Sequence, residues 1–249
     1  MNNKQTYKKS ITMIYILAET LLYGIFLYID IIQKASYNLS AQLKFTGIVL
    51  CFLYVLILPV YLKNKTDIRI LRLTIFFTLI SDLFILMLDL YLPGMVSFCI
   101  VQALYLIRLG LWNKREDKLK TLVVIMKKIL RNITLTLVIL FILAIFQLKL
   151  EALIFVSCFY FVSILFNVSD SLVTVFRYRI KYQLLYSCGM VLFLLCDINV
   201  GVFNLTGFVS INSSWFHHLY NFSAVAMWLF YLPAQVLISL SGQTKLCKN

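Results

Sequence analysis

Along most of the chain, apolar residues follow one another in runs too long and unbroken for the alternation of a half-buried strand or the stripe of a soluble helix. Polar and charged residues gather in short clusters between the runs. A hydrocarbon core ~30 Å thick calls for about 20 consecutive apolar residues per helix. Eight such runs occur, predicting spans near Ile11–Ile32, Phe45–Leu62, Ile70–Leu92, Gly94–Trp112, Asn132–Leu148, Ala152–Phe176, Leu184–Phe203 and His217–Ser241. The fifth is the shortest, and "LKTLVVIMKKIL" ahead of it allows an earlier start.

Composition fixes what surrounds these runs. Of 249 residues, 62% are hydrophobic and 13% charged, where a soluble domain is about half apolar and a quarter charged. A water-soluble fold could not hide so much apolar surface. The expectation is an all-α, polytopic transmembrane helix bundle forming one integral membrane domain over residues 1–249. The first run is longer than a signal-peptide core and lacks a small-residue cleavage site, so it is expected to stay as a span.

The net charge of +13 sets orientation rather than partner. With the N-terminus inside, the inner segments hold Lys4, Lys8, Lys9, Lys63, Lys65, Arg69 and Arg72, then Arg108, Lys114, Arg115, Lys118, Lys120, Lys127, Lys128 and Arg131. Arg177, Arg179, Lys181, Lys245 and Lys248 complete 20 positions, against Lys34, Lys44 and Lys149 outside. That asymmetry predicts both termini in the cytoplasm and a multi-pass protein of the cell membrane. The basic residues flank apolar spans and form no continuous patch, so nucleic acid is not an expected partner. In "KREDKLKTLVVIMKKILR" (Lys114–Arg131), Leu119, Leu122, Val123, Met126 and Leu130 share one helical face. That segment reads either as a surface helix on an anionic leaflet or as a snorkelling start to the fifth span.

Neither cysteines nor histidines point to a metal or a cofactor. Of the six cysteines, all but Cys247 lie in spans and none forms a C-x-x-C pair. His217 and His218 are adjacent, which on a helix makes a poor chelating pair. They read as interfacial residues at the start of the last span.

The informative residues are acids. Those singled out within predicted spans are Glu19, Asp82, Asp89, Asp170 and Asp197. A charge at the bilayer centre costs about 3 kcal/mol or more, which makes each a functional candidate. Asp89 lies near the outer end of its run, and Asp170 stands about two turns from the basic cluster Arg177–Lys181 that is placed to neutralise it. Glu19 and Asp82 fall near mid-span and Asp197 in the outer half of the seventh, with no Lys or Arg expected at those depths. Two carboxyls in different protonation states are what acid–base hydrolysis uses. Hydrogen bonding across helices as structural glue accounts for them equally well.

Polar residues on other spans add to this picture. After Pro93-Gly94 the fourth run places Phe98, Gln102 and Tyr105 along one stripe. The seventh carries Gly189, Phe193, Cys196 and Asp197, and the eighth Tyr231, Pro233 and Gln235.

In this order, the elements resemble the lysoplasmalogenase-like (YhhN-type) family of eight-span membrane proteins. Ser81-Asp82 is similar to that family's small-residue–Asp pair in the third span. Gly94, Phe98 and Tyr105 fit G-x-x-x-F-x-x-x-H-x-x-Y. Gly189, Leu192, Phe193 and Asp197 fit G-x-L-L-F-x-x-S-D, with Cys196 for the usual Ser. Tyr231, Ala234, Gln235, Leu237 and Ile238 fit Y-x-x-A-Q-x-L-I. The overlap covers spans three, four, seven and eight. One departure bears on activity: Gln102 stands where the pattern has His.

The resemblance implies hydrolysis of the vinyl ether of a lysoplasmalogen, a lysophospholipid reached from the surrounding membrane lipids, without metal or other cofactor. It implies Asp82 as acid and Asp197 as base or cation stabiliser, in an assignment that is reversible. Gln102, Tyr105, Tyr231 and Gln235 would position substrate or water. Two other readings rest on the same unpaired acids. One is a ligand-sensing or interaction protein without catalysis; the other is a proton-coupled small-molecule transporter.

Overall fold

In the computed structural model, residues 2–33, 37–58, 65–112, 118–145, 151–205 and 213–243 are described. Lys34, Lys63, Lys114, Arg115, Lys149, Lys245, Cys247 and Lys248 lie outside them. The described residues form eight helices and no strand: α1 (Asn2–Tyr28), α2 (Tyr37–Ile57), α3 (Lys65–Asp82), α4 (Tyr91–Trp112), α5 (Lys118–Ile145), α6 (Ala152–Tyr178), α7 (Lys181–Asn204) and α8 (Ser214–Leu240). Each is long and apolar enough to cross a bilayer. The chain is an all-helical, multi-pass membrane protein.

Local chemistry explains where the spans differ from the apolar runs. α1 and α3 each end in a π-helical turn, Ile29–Gln33 and Leu83–Met87. Asp89 follows in the left-handed conformation, with φ 53°, an uncommon geometry that Asp tolerates better than most residues. The third span therefore ends at Met87 rather than Leu92, and Asp82 lies towards its C-terminal end rather than at its middle. α4 begins at Tyr91 because Pro93 sits in its first turn, where no N–H is required. α5 starts at Lys118 and runs unbroken to Ile145, so the basic amphipathic segment is the beginning of the fifth span. Arg179 caps α6 in the left-handed conformation, its N–H donating to Val175 O at 2.8 Å, and Ile180 leads directly into α7. Ser213 caps α8, its Oγ accepting from Phe216 N at 3.2 Å.

Six helices close a ring in the order α2, α3, α4, α6, α7, α8 and back to α2, each packed on the next. α1 lies outside against α2 and α8, and α5 outside against α4 and α6. The core fills the ring with Ile48, Leu71, Ile75, Tyr105, Met190 and Ile238, all fully buried or nearly so. Gly189 lets α7 and α8 meet: a Cβ there would lie 2.9 Å from the Ala234 carbonyl oxygen and 2.8 Å from Ile238 Cγ1. Small residues at close crossings are how membrane helices gain packing where hydrophobicity provides no drive. Pro233 in α8 has no N–H for the carbonyl of Leu229, and Tyr23 of α1 donates its hydroxyl there at 2.9 Å. A proline's cost in lipid is commonly met this way.

One end of the bundle is tied by charge. Arg108 is fully buried in α4, inside the predicted fourth span although the count of inner Lys and Arg includes it. Its Nε donates to Asp67 Oδ1 at 2.9 Å and its Nη1 to Ser241 Oγ at 2.8 Å. Trp112 Nε1 also donates to Asp67 Oδ1 at 2.9 Å, and the Trp112 and Tyr186 rings lie beside the guanidinium. A buried charge is tolerable only when paired and hydrogen-bonded in this manner. At the same end Arg72 donates to the carbonyls of Val55, Leu56 and Leu58, satisfying the last turn of α2. The N-terminal parts of α3 and α7 and the C-terminal parts of α2, α4 and α8 thus converge, as alternating passage requires.

Candidate active site

Asp82 is the last α-helical residue of α3 before the π turn, a kind of irregularity that often accompanies functional positions. Ser81 fixes the neighbourhood by donating to Gly94 O at 3.0 Å. Gly94 is needed because a Cβ would lie 2.4 Å from Ile85 Cγ1, within the turn that follows Asp82. Buried against α8, Asp82 accepts the Tyr231 hydroxyl on Oδ2 at 2.6 Å. The distance lies within the range of O–H···O hydrogen bonds and leaves Oδ1 free of this partner.

Asp197 has a partner of the same kind. Tyr160 of α6 donates to Asp197 Oδ2 at 2.7 Å. Where Asp82 is buried, Asp197 is half-buried. The two phenol–carboxyl pairs are joined by rings: Phe98 lies 5.7 Å from Tyr160 and 6.0 Å from Phe193, and Phe193 lies 5.6 Å from Tyr231. These tilted and edge-on contacts are favourable aromatic geometries. Neither carboxyl bonds the other; an aromatic array spans the space between, with Cys196 close to both.

The remaining predicted residues fall on the same interior surface. One turn along α4 from Phe98, Gln102 is buried, and Asn167 Nδ2 donates both to its Oε1 and to its backbone oxygen at 2.9 Å. Its Nε2 has no bonding partner. Tyr105 packs its ring 5.6 Å from Tyr186, and its hydroxyl is likewise buried and unpartnered. Gln235, one turn along α8 from Tyr231, is fully buried with neither amide atom bonded.

The other predicted intramembrane acids separate cleanly. Asp170 is bound by Lys128 of α5 at 2.8 Å, so α5 rather than the Arg177–Lys181 cluster neutralises it. Asp89 lies in the α3–α4 turn. Glu19 is buried mid-way along α1, where Cys51 Sγ donates to its Oε1 at 3.5 Å.

Two partners, Tyr160 and Asn167, were not singled out from the sequence. A signal was there: Tyr160, Ser163, Asn167, Ser171 and Thr174 follow helical spacing along α6, and all are buried. A polar stripe of that period in a membrane helix faces protein, because lipid cannot satisfy it.

Residues 39–242 match the family model described as YhhN. The chain belongs to the YhhN family. The match runs from α2 to the end of α8, so every residue of the two phenol–carboxyl pairs lies inside it and α1 lies outside. Comparison of this YhhN-family chain with curated proteins and with solved structures finds no match.

Proposed function

We propose that this YhhN-family protein is a lysoplasmalogenase-like hydrolase of the cell membrane, cleaving the vinyl ether bond of a lysoplasmalogen to a fatty aldehyde and a glycerophospho-base. Family membership supports the reaction class. The observation that carries the reading is the pair of phenol-bound carboxyls, Asp82–Tyr231 and Asp197–Tyr160, flanking one aromatic array inside the helix ring.

The reaction needs a proton, a means of holding a cation, and water. Protonation of the vinyl ether at carbon gives an oxocarbenium ion. Water adds to that ion and loses a proton, and the resulting hemiacetal collapses to aldehyde and glycerol hydroxyl. One water is consumed and the first proton is returned. Asp82 supplies the proton from Oδ1, since Tyr231 occupies Oδ2. Asp197, with Tyr160 on Oδ2, turns its other oxygen to the oxocarbenium ion and to the attacking water. Its partial exposure suits it to meeting water. Phe98 and Phe193 give the cation aromatic faces. The unbonded donor of Gln102, the Tyr105 hydroxyl and the Gln235 amide position the lipid and water. The substrate is a single-chain lysophospholipid that enters from the surrounding membrane lipids.

Purified protein in detergent or nanodiscs should release aldehyde from a lysoplasmalogen and leave the corresponding saturated ether lipid intact. Binding of the lysoplasmalogen without aldehyde would overturn the hydrolase reading in favour of a sensor.

A further inference from the structure

Glu19 takes no part in the proposed chemistry, yet it is a buried carboxyl whose Oε2 has no bonding partner. It fills the space left by Gly47: a Cβ there would lie 3.3 Å from Glu19 Oε2 and 2.7 Å from Leu232 Cδ1 of α8. One turn away on α2, Cys51 donates to Glu19 Oε1 at 3.5 Å and lies 3.1 Å from the Tyr15 hydroxyl. Ser239 of α8 adjoins both Tyr15 and Cys51.

These groups continue a line that begins at Asp82. On α8, Tyr231, Gln235 and Ser239 follow at intervals of one turn, all on one face, and Gln243 lies just beyond the helix's end. α3 meets this line at two points: Tyr231 bonds Asp82, and Gly242, just beyond α8, packs so closely on Leu71 that a Cβ would lie 2.7 Å from Leu71 Cδ2. Thr74 and Thr78 lie on α3 between these two points. Both threonines are fully buried and donate to their own helix, at 2.8 Å from Thr74 to Ile70 O and 3.0 Å from Thr78 to Thr74 O. Their oxygen lone pairs remain as acceptors. The line ends where Gln243 Nε2 donates to Thr12 Oγ1 at 2.7 Å and to the Tyr54 hydroxyl. Thr12 and Gln243 there are partly exposed, at the Arg108 end of the bundle.

A carboxyl oxygen and a whole amide left unbonded in an apolar interior are strongly unfavourable. Water bound to two to four such groups removes that cost. We propose that the seam between α1, α2, α3 and α8 binds a file of ordered water running from Thr12 and Gln243, past Glu19, Cys51 and Gln235, to Asp82. Its use is to deliver water and exchange protons with the acid of the hydrolytic site, a role that rests on the hydrolase reading.

X-ray hydroxyl-radical labelling of the purified natural protein, read by mass spectrometry, tests the water file without reference to turnover. Radicals form at bound water, so Tyr15, Cys51 and Tyr231, each corrected for the intrinsic reactivity of its side chain, should label several-fold faster than Phe26, which is equally buried but off the seam. Labelling no faster than Phe26 overturns the water file. Delivery is tested by Glu19→Leu and Thr78→Val, with Glu19→Gln as the conservative control and melting temperature as the check on folding. The two apolar variants should slow labelling of Cys51 and Tyr231 and lower kcat on the order of tenfold with KM unchanged. Glu19→Gln should restore the labelling. Natural turnover in both apolar variants overturns the delivery role. If neither the natural protein nor Gln102→His releases aldehyde, the hydrolase reading and the delivery role fall together, and fast labelling still upholds the water file.

Discussion

The Tyr231 hydroxyl reaches from α8 to Asp82 of α3 at 2.6 Å, and each residue is buried by the contact. Removing the hydroxyl leaves Asp82 with an unbonded oxygen and no fixed orientation. Tyr231→Phe is expected to lower turnover by one to two orders of magnitude, at about 1.4 kcal/mol of transition-state stabilisation per tenfold. Tyr160→Phe should do the same through Asp197. Asp82→Asn and Asp197→Asn keep the shape without the proton and should abolish aldehyde release. Asp89→Asn, in the α3–α4 turn, should be mild. Near-natural turnover in either active-site Asn variant removes that residue from the chemistry.

Gln102 stands where the resembled pattern has His, and Asn167 holds its oxygen. The amide nitrogen is thereby presented as a fixed donor, a positioning role that needs no proton transfer. The natural protein is expected to turn over, and Gln102→Ala to slow it by one to two orders of magnitude. Asn167→Leu should give a parallel loss. An inactive natural protein rescued by Gln102→His would show that this position carries a proton instead.

The Arg108–Asp67 pair makes a prediction about stability. Breaking a buried pair on one side strands a charge, at about 3–5 kcal/mol. Arg108→Met and Asp67→Leu should each lower the melting temperature strongly in detergent. The double variant should recover much of the loss, and additive losses would refute the pairing as the source of the effect.

Gly189 admits no side chain. A Cβ would stand 2.9 Å from the backbone oxygen of Ala234, and backbone cannot yield as a side-chain tip can. Gly189→Val is expected to destabilise by about 1–3 kcal/mol or more, read as a shift in thermal unfolding. Gly201→Val, where a Cβ meets nothing within 4 Å, is the control and should be near neutral.

The 20-to-3 distribution of Lys and Arg predicts that both termini face the cytoplasm. Reporter fusions after Lys65, Lys118, Arg179 and Lys248 should report cytoplasm. Fusions at Gln33, Pro93, Leu150 and Asn212 should report the exterior. A reporter at Lys248 found outside would contradict the proposed arrangement.

The number and kind of helices were legible because a ~30 Å core demands long apolar runs that nothing else in a sequence imitates. Their ends were less so. The π turn after Asp82 and the left-handed Asp89 continue an apolar run while breaking its helix, and hydropathy does not register backbone hydrogen bonding. The carboxyls stood out because acids are rare in such runs. Their phenol partners did not all follow: Tyr160 is one of 15 tyrosines, and only three-dimensional packing selects it for Asp197. The burial of Arg108 was not legible for a related reason. Counting Lys and Arg by span assigns a side, but it does not say whether a guanidinium near a helix end turns outward to water or inward to Asp67.

Ser241 joins the Arg108 network from just beyond the last helix. Asp67 and Arg108 belong to the third and fourth spans and can pair as soon as that hairpin has been made. The guanidinium still lacks an acceptor until α8 emerges from the ribosome and crosses the membrane. In a chain stopped before α8, the Arg108 Nη1 that donates to Ser241 Oγ would have no such acceptor. The last pass therefore closes a network that the third and fourth spans can only begin.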